Sequence, residues 1–168
     1  MATNIIGFPP VVNERAARVI AGAVAVLGVV VLVTGWHVLT VLMAAGFLLR
    51  VVGGPRLSPI GRLVADHIAP RLGPPIPTAG PPKRFAQGVG LVVTTSAAVL
   101  ALGFGLVVLP AVLMSVLVFF AILESSLGWC AGCWVFARLM AWGLVPEETC
   151  VACSNLALAP QLARQAQG

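Results

Sequence analysis

Four long apolar stretches follow one another along the chain, and each ends at a glycine, a proline or a polar segment. They cover about 17–34, 37–52, 86–109 and 111–127. A helix needs about 20 mainly apolar residues to cross the hydrocarbon core of a bilayer. The pattern therefore predicts an all-α integral membrane protein built as a four-transmembrane-helix bundle.

The segment between the second and third stretches has a different pattern. Residues 55–85 hold most of the prolines and many of the charged residues of the chain. From Ser58 to Ile68, apolar positions recur at helical spacing, which predicts a short amphipathic loop helix lying on the membrane surface. The proline-rich part that follows, 72–82, is predicted to be extended.

The C-terminal part resumes an apolar pattern but carries more polar residues. Trp129 to Leu144 has a helical pattern, yet it is short and contains Arg138. We interpret it as a continuation of the fourth helix or as an interfacial helix, with a fifth span as the alternative. The predicted organisation is a tail over 1–13, a four-helix membrane domain over 14–128 and a cysteine-containing segment over 129–168.

Composition excludes a soluble domain. Of 168 residues, 60% are hydrophobic and 9% are charged, whereas soluble domains carry roughly 25% charged residues. The net charge of +5 does not indicate nucleic-acid binding, because the basic residues flank the apolar stretches. Most of them lie before the first stretch and between the second and third. The positive-inside rule then predicts a multi-pass cell-membrane protein with both termini in the cytoplasm.

The cysteines are the strongest chemical signal. All of them lie in the last part of the chain, as the pairs Cys130 with Cys133 and Cys150 with Cys153. Four thiolates at this spacing are typical of a structural zinc site. Pairs at i and i+3 also suit thiol–disulfide chemistry, since a helix N-terminus lowers the pKa of a thiol. A third interpretation, that they are small buried apolar residues, explains the paired spacing poorly.

Two charges fall inside the predicted spans at similar depth. Arg50 and Glu124 each lie about 20 Å from the outer end of their helices. Charges within a membrane are costly and are normally paired. We therefore predict an Arg50–Glu124 ion pair, which either locks two helices together or leaves Glu124 as a proton carrier near Cys130.

Two motifs resemble a known family. They are GPPKRFAQ at 80–87, followed by a span containing glycines, and GWCAGC at 128–133. The resemblance covers roughly 10–145 and is to an uncharacterised family of small bacterial membrane proteins, common in actinobacteria, with a domain of unknown function. Its members are fused to or encoded near thioredoxin-like and rhodanese-like proteins, which implies a thiol or sulfur-transfer context.

These observations lead to one principal functional hypothesis. The chain is expected to be a membrane thiol–disulfide component that exchanges electrons with a thioredoxin-like or sulfurtransferase partner. Cys130 would attack, Cys133 would resolve, and Cys150 and Cys153 would form a second couple, with no cofactor required. One alternative is a non-enzymatic membrane scaffold whose four cysteines bind zinc. Another is a permease for a small molecule or sulfur compound.

Overall fold

The computed structural model describes residues 9–146. The second cysteine pair, Cys150 and Cys153, lies outside the described residues. Within them the chain forms six α-helices: α1 (Glu14–Thr34), α2 (Val38–Gly53), α3 (Pro59–Leu63), α4 (Gly80–Ala98), α5 (Val108–Leu127) and α6 (Ala131–Ala141). A 3₁₀ turn, Gly54–Arg56, follows α2. A π-helical turn over Val99–Gly103 continues α4.

Three of these helices are long and apolar enough to cross a membrane. They are α1, α4 with its π-helical continuation to Gly103, and α5. Their outer faces expose large apolar side chains, among them Val33, Val92 and Val108, which suit lipid better than water. The predicted all-helical class is confirmed, and the three helices are consistent with a membrane protein. Because α2 has 16 residues, the count of four spans stays a prediction.

The bundle is organised as two helix pairs. α1 packs along α5, α2 packs along α4, and α4 also contacts α5. Val31, Met43, Phe47, Ala97 and Met114 form the centre of the core where these helices meet. The apolar runs that predicted the helices therefore divide between an inner face in the core and an outer face on the surface.

The loop between α2 and α4 is helical where an amphipathic helix was predicted. Ser58 caps α3 by accepting a hydrogen bond from the Gly61 N–H at 3.2 Å. A π-helical turn, Val64–Ile68, and a 3₁₀ turn, Ala69–Leu72, continue it. Val64 and Ala69 are buried against the start of α1, so this segment is attached to the bundle.

A short antiparallel ribbon was not predicted. Strand β1 (Val11–Asn13) pairs with strand β2 (Pro77–Ala79), with Val11 opposite Ala79. The interpretation of 1–13 as a tail is therefore wrong for 11–13. The chain passes so close to itself here that a Cβ on Gly80 would lie 2.0 Å from the Pro9 carbonyl oxygen. The ribbon holds the first turns of α1 and α4 side by side.

One glycine on α4 allows its close contact with α2. A Cβ on Gly90 would lie 2.4 Å from Cε1 of the buried Phe47 ring, whereas a Cβ on Gly88 would meet nothing within 4 Å. Gly90→Leu is expected to destabilise the protein by about 1–3 kcal/mol through overpacking. Gly88→Leu is the matched control on the same helix. Thermal unfolding in detergent checks this, and equal melting temperatures for the two variants would contradict the packing argument.

Candidate functional site

Four helix ends meet around one buried lysine. Lys83 lies in the first turn of α4, and its Nζ is 3.1 Å from Glu14 Oε2 and 2.7 Å from Glu124 Oε1. Glu14 begins α1 and Glu124 lies in the last turn of α5. The Lys83 side chain is only 6% exposed. We call Glu14, Lys83 and Glu124 the Lys83 cluster; it joins three helices through one ammonium group.

Local sequence explains why these ends converge. The β1–β2 ribbon fixes the starts of α1 and α4 next to each other. Pro81 and Pro82 occupy the first turn of α4, where a helix has no hydrogen bonds to lose. Arg18 of α1 donates hydrogen bonds to the carbonyls of Ser125, at 3.1 Å, and Ser126, which cap the C-terminus of α5.

The first cysteine pair opens a new helix directly beside this cluster. Gly128 ends α5 with φ of 72°, a left-handed conformation that glycine adopts without strain. Cys130 is the N-cap residue of α6 and is buried, while Cys133 lies one turn further and is partly exposed. The structure thus places a helix break at Gly128 and the predicted attacking cysteine at a helix N-terminus.

Helix α6 is seated on α4 by a close backbone contact. A Cβ on Gly132 would lie 2.5 Å from the Cβ of Ala86, so a larger residue would push the two helices apart. The rings of Phe85 and Phe136 pack with their centroids 5.8 Å apart. This docking fixes the position of the cysteine pair relative to Lys83, which precedes Phe85 by two residues.

The two thiols differ in acidity. A hydrogen bond from Cys133 is the main cause that lowers the pKa of Cys130 below its ordinary value; Lys83 also lowers it, while burial and Glu124 oppose them. The same hydrogen bond, followed by burial, raises the pKa of Cys133. The thiolate is the nucleophilic form of cysteine. The arrangement therefore favours Cys130 as the attacking group and Cys133 as the group that holds a proton.

Cys130 lies between two cavities. One, of about 560 Å³, is lined by both cysteines together with Glu14, Lys83 and Trp134. The other, of about 320 Å³, lies deeper among the helices and is mainly apolar. Cys130, Glu124, Arg50 and Gln87 contribute its polar edge. The buried side chain of Cys130 therefore borders both cavities. We call these the polar cavity and the apolar cavity.

The predicted Arg50–Glu124 ion pair is wrong. Glu124 bonds to Lys83, and none of its carboxylate oxygens lies within 4 Å of an Arg50 nitrogen. Arg50 instead donates from Nε to the Gly46 carbonyl at 3.0 Å and lies over the Phe47 ring. Both residues line the apolar cavity. The prediction failed because Lys83, in the first turn of α4, turns inward and pairs with Glu124.

The described residues contain no cluster of three or more histidine, cysteine or carboxylate side chains arranged to hold a metal ion. The predicted zinc site needs Cys150 and Cys153, which lie beyond residue 146. It therefore stays a prediction. Cys130 and Cys133 supply at most half of the four thiolates that a closed structural zinc site requires.

The acidity difference leads to a test by alkylation. With iodoacetamide, Cys130 is expected to react faster than Cys133, and its rate should reach half of its maximum below the ordinary thiol value of 9.0. As pH rises, Cys130 deprotonates first, because its pKa is lowered. Lys83→Met should move the midpoint upward, and Arg84→Met, on the exposed neighbour, should not. Peptide mass spectrometry gives the rates; equal rates and midpoints for both cysteines would contradict the assignment.

The fold and the cluster define a class: a helical protein with the character of a membrane protein and a dithiol at the N-terminus of its last described helix. The chain belongs to the family described as Domain of unknown function (DUF4395), whose model matches residues 12–141. No curated protein and no solved structure matches it. The matched range includes the Lys83 cluster, Cys130 and Cys133, whereas Cys150 and Cys153 lie beyond it.

Proposed function

We propose that this protein is a membrane thiol–disulfide component that exchanges electrons with a thioredoxin-like or sulfurtransferase partner. One observation carries the proposal: Cys130 occupies the N-cap position of α6, with Cys133 one turn later and a buried ammonium close by. Helix N-termini and neighbouring cations are the features that make a cysteine reactive. The polar cavity gives a partner access to both thiols.

The exchange is balanced between two dithiol–disulfide couples. The Cys130 thiolate attacks one sulfur of a partner's disulfide, forming a mixed disulfide and releasing the partner's other sulfur as a thiolate, which takes up a proton. Cys133 then loses its proton and attacks the sulfur of Cys130. The Cys130–Cys133 disulfide forms, and the partner leaves with two thiols. Two electrons and two protons have moved, and every step is reversible.

The proposed topology has four spans in the cell membrane. Helix α2, with 16 residues, is about 24 Å long, and a link of three residues, Gly35 to His37, joins it to α1. An even number of crossings by α1, α2, α4 and α5 places the ribbon and α6 on the same side. Arg15, Arg18, Arg71 and Arg84 lie near that end, so the positive-inside rule assigns it to the cytoplasm.

Two further groups have roles in this proposal. Cys150 and Cys153 act as a second couple that exchanges electrons with the first through a mixed disulfide. Glu124, hydrogen-bonded to Lys83 at 2.7 Å, carries a proton to or from the thiols. Lys83, itself paired with Glu14, holds Glu124 at the cysteine pair. The cluster therefore both joins the helices and supplies the proton-bearing side of the site.

The test combines metal content and thiol oxidation. The full chain is purified in detergent under nitrogen without chelators, and metal and free thiols per chain are measured. The proposal predicts no stoichiometric metal and reversible oxidation of Cys130 and Cys133 as a pair. About one zinc per chain, lost when any cysteine is replaced, is the stoichiometry of a four-thiolate site. That result would overturn the redox function in favour of the structural zinc scaffold.

A further inference from the structure

The apolar cavity is connected to the lipid-facing surface of the bundle. Residues of α1, α2, α4, α5 and α6 line its volume of about 320 Å³. Val89 and Val116, on α4 and α5, belong to its wall and are also exposed on the outer face of the protein. A lipid-soluble molecule therefore has a route into the cavity from the bilayer, between α4 and α5.

One wall of this cavity is polar and chemically active. Oε1 of Gln87 is buried without a hydrogen-bond partner within residues 9–146. Arg50, Glu124 and Cys130 line the same space. A buried polar atom without a partner costs free energy. A buried acceptor needs a donor, so the cavity fits a ligand with an apolar body and hydroxyl or carbonyl groups at its edge, rather than the plain acyl chain of a lipid.

We propose that the apolar cavity binds a lipid-soluble quinone, which accepts electrons from the Cys130–Cys133 dithiol. This inference rests on the proposed function, since it supplies the redox partner on the membrane side of the same thiol pair. Ligand cavities usually measure about 300–1,000 Å³, so this one has room for a single ring, with its tail following the exposed edge. The amide of Gln87, which can present either N–H or oxygen, bonds the ring oxygens.

The reaction balances without any further reactant. Cys130 and Cys133 lose their two S–H protons and two electrons, and an S–S bond forms between them. The quinone gains two electrons and two protons and leaves as hydroquinone. A partner's dithiol, bound at the polar cavity, then reduces the Cys130–Cys133 disulfide through a mixed disulfide on Cys130. Electrons run from soluble dithiol to membrane quinone.

The Lys83 cluster connects the two cavities for protons. Lys83 lines the polar cavity, Glu124 lines the apolar cavity, and a 2.7 Å hydrogen bond joins them. A proton taken from the aqueous side passes from Lys83 to Glu124 and on to a quinone oxygen. Cys130 occupies the equivalent position for electrons, because it lines both cavities. Protons therefore pass between the two cavities through Lys83 and Glu124, and electrons pass between them through Cys130.

The test uses duroquinone, whose four ring methyl groups leave no open carbon for thiol addition. The reduced full chain in nanodiscs is mixed with it under nitrogen, and quinone absorbance and free thiols are followed together. Wild type should lose two thiols per quinone reduced. Val93→Phe, which fills the apolar cavity, should slow the reaction at least about tenfold by excluding the ring. Val92→Phe, on the exposed outer face of the same turn, should not.

A parallel assay separates this inference from the function it rests on. Exchange with a thioredoxin-like disulfide is measured for the same three proteins and should be equal in all of them, which also shows that Val93→Phe is folded. If the wild type exchanges with the protein disulfide but does not reduce quinone, the quinone site alone is overturned. Equal quinone reduction rates for Val93→Phe and Val92→Phe would overturn it as well. Loss of protein exchange in the wild type would overturn the proposed function itself.

Gln87→Leu should raise the quinone concentration needed for half the maximal rate.

Discussion

Replacing Lys83 with methionine is expected to lower the free energy of unfolding by about 3–5 kcal/mol. The substitution keeps the length and apolar stem of the side chain but removes the ammonium between Glu14 and Glu124. Those carboxylates have side chains only 17% and 16% exposed. Two partly buried like charges would then face each other without a cation, at the point where α1, α4 and α5 meet.

Arg84→Met is the matched control for this prediction. It removes the neighbouring charge from the same helix turn, but Arg84 is exposed and its Nε donates to the Val51 carbonyl, an uncharged partner. Thermal unfolding in detergent should show a large loss for Lys83→Met and a small one for Arg84→Met. Adding Glu14→Gln and Glu124→Gln should restore much of the loss, since coupled residues are not additive. Equal losses for the two single variants would show that Lys83 does not hold the helices together.

Opposite effects are expected from the two cysteines of the first pair. Cys133→Ser should accumulate a stable mixed disulfide with a thioredoxin-like partner, because the thiol that releases the partner is missing. Cys130→Ser should abolish that adduct, because the attacking thiolate at the helix N-terminus is missing. Both variants should lose complete exchange.

Adduct formation is measured on non-reducing gels after acid quenching. Ala137→Ser introduces the same serine side chain on the exposed face of α6 and serves as the control, with exchange at the wild-type rate. Equal adduct formation by the two cysteine variants would remove the distinction between attacking and resolving thiols. A four-thiolate zinc site predicts instead that both variants destabilise the C-terminal segment to about the same degree.

Local sequence signals predicted the helices well. Uninterrupted apolar runs indicated α1, α2, α4 and α5, because a helix is the structure that satisfies its own backbone in lipid. The sequence did not decide whether the fourth helix continues past Gly128; in the structure α5 ends there and α6 begins after Cys130. The start of α5 differs from the prediction, because Pro110 was interpreted as a helix breaker. It lies buried in the first turn of α5, where proline is tolerated.

Features that depend on distant parts of the chain were missed. Pairing of Val11 with Ala79 brings together residues from two segments that each looked like irregular chain. Depth in a span can be counted along a helix, but the direction in which a side chain points around the bundle cannot. That is why Glu124 was assigned to Arg50 rather than to Lys83. One sequence signal pointed to a role for Lys83: it lies within GPPKRFAQ, one of the two motifs on which the family resemblance rests.

The most direct measurement is to identify which cysteine bonds to the partner in an otherwise intact chain. A thioredoxin-like protein lacking its own resolving cysteine is allowed to exchange with the full-length protein, and the adduct is digested without reduction for mass spectrometry. The account predicts that the partner's sulfur is joined to Cys130. A bond to Cys133, Cys150 or Cys153, with Cys130 free, would contradict it.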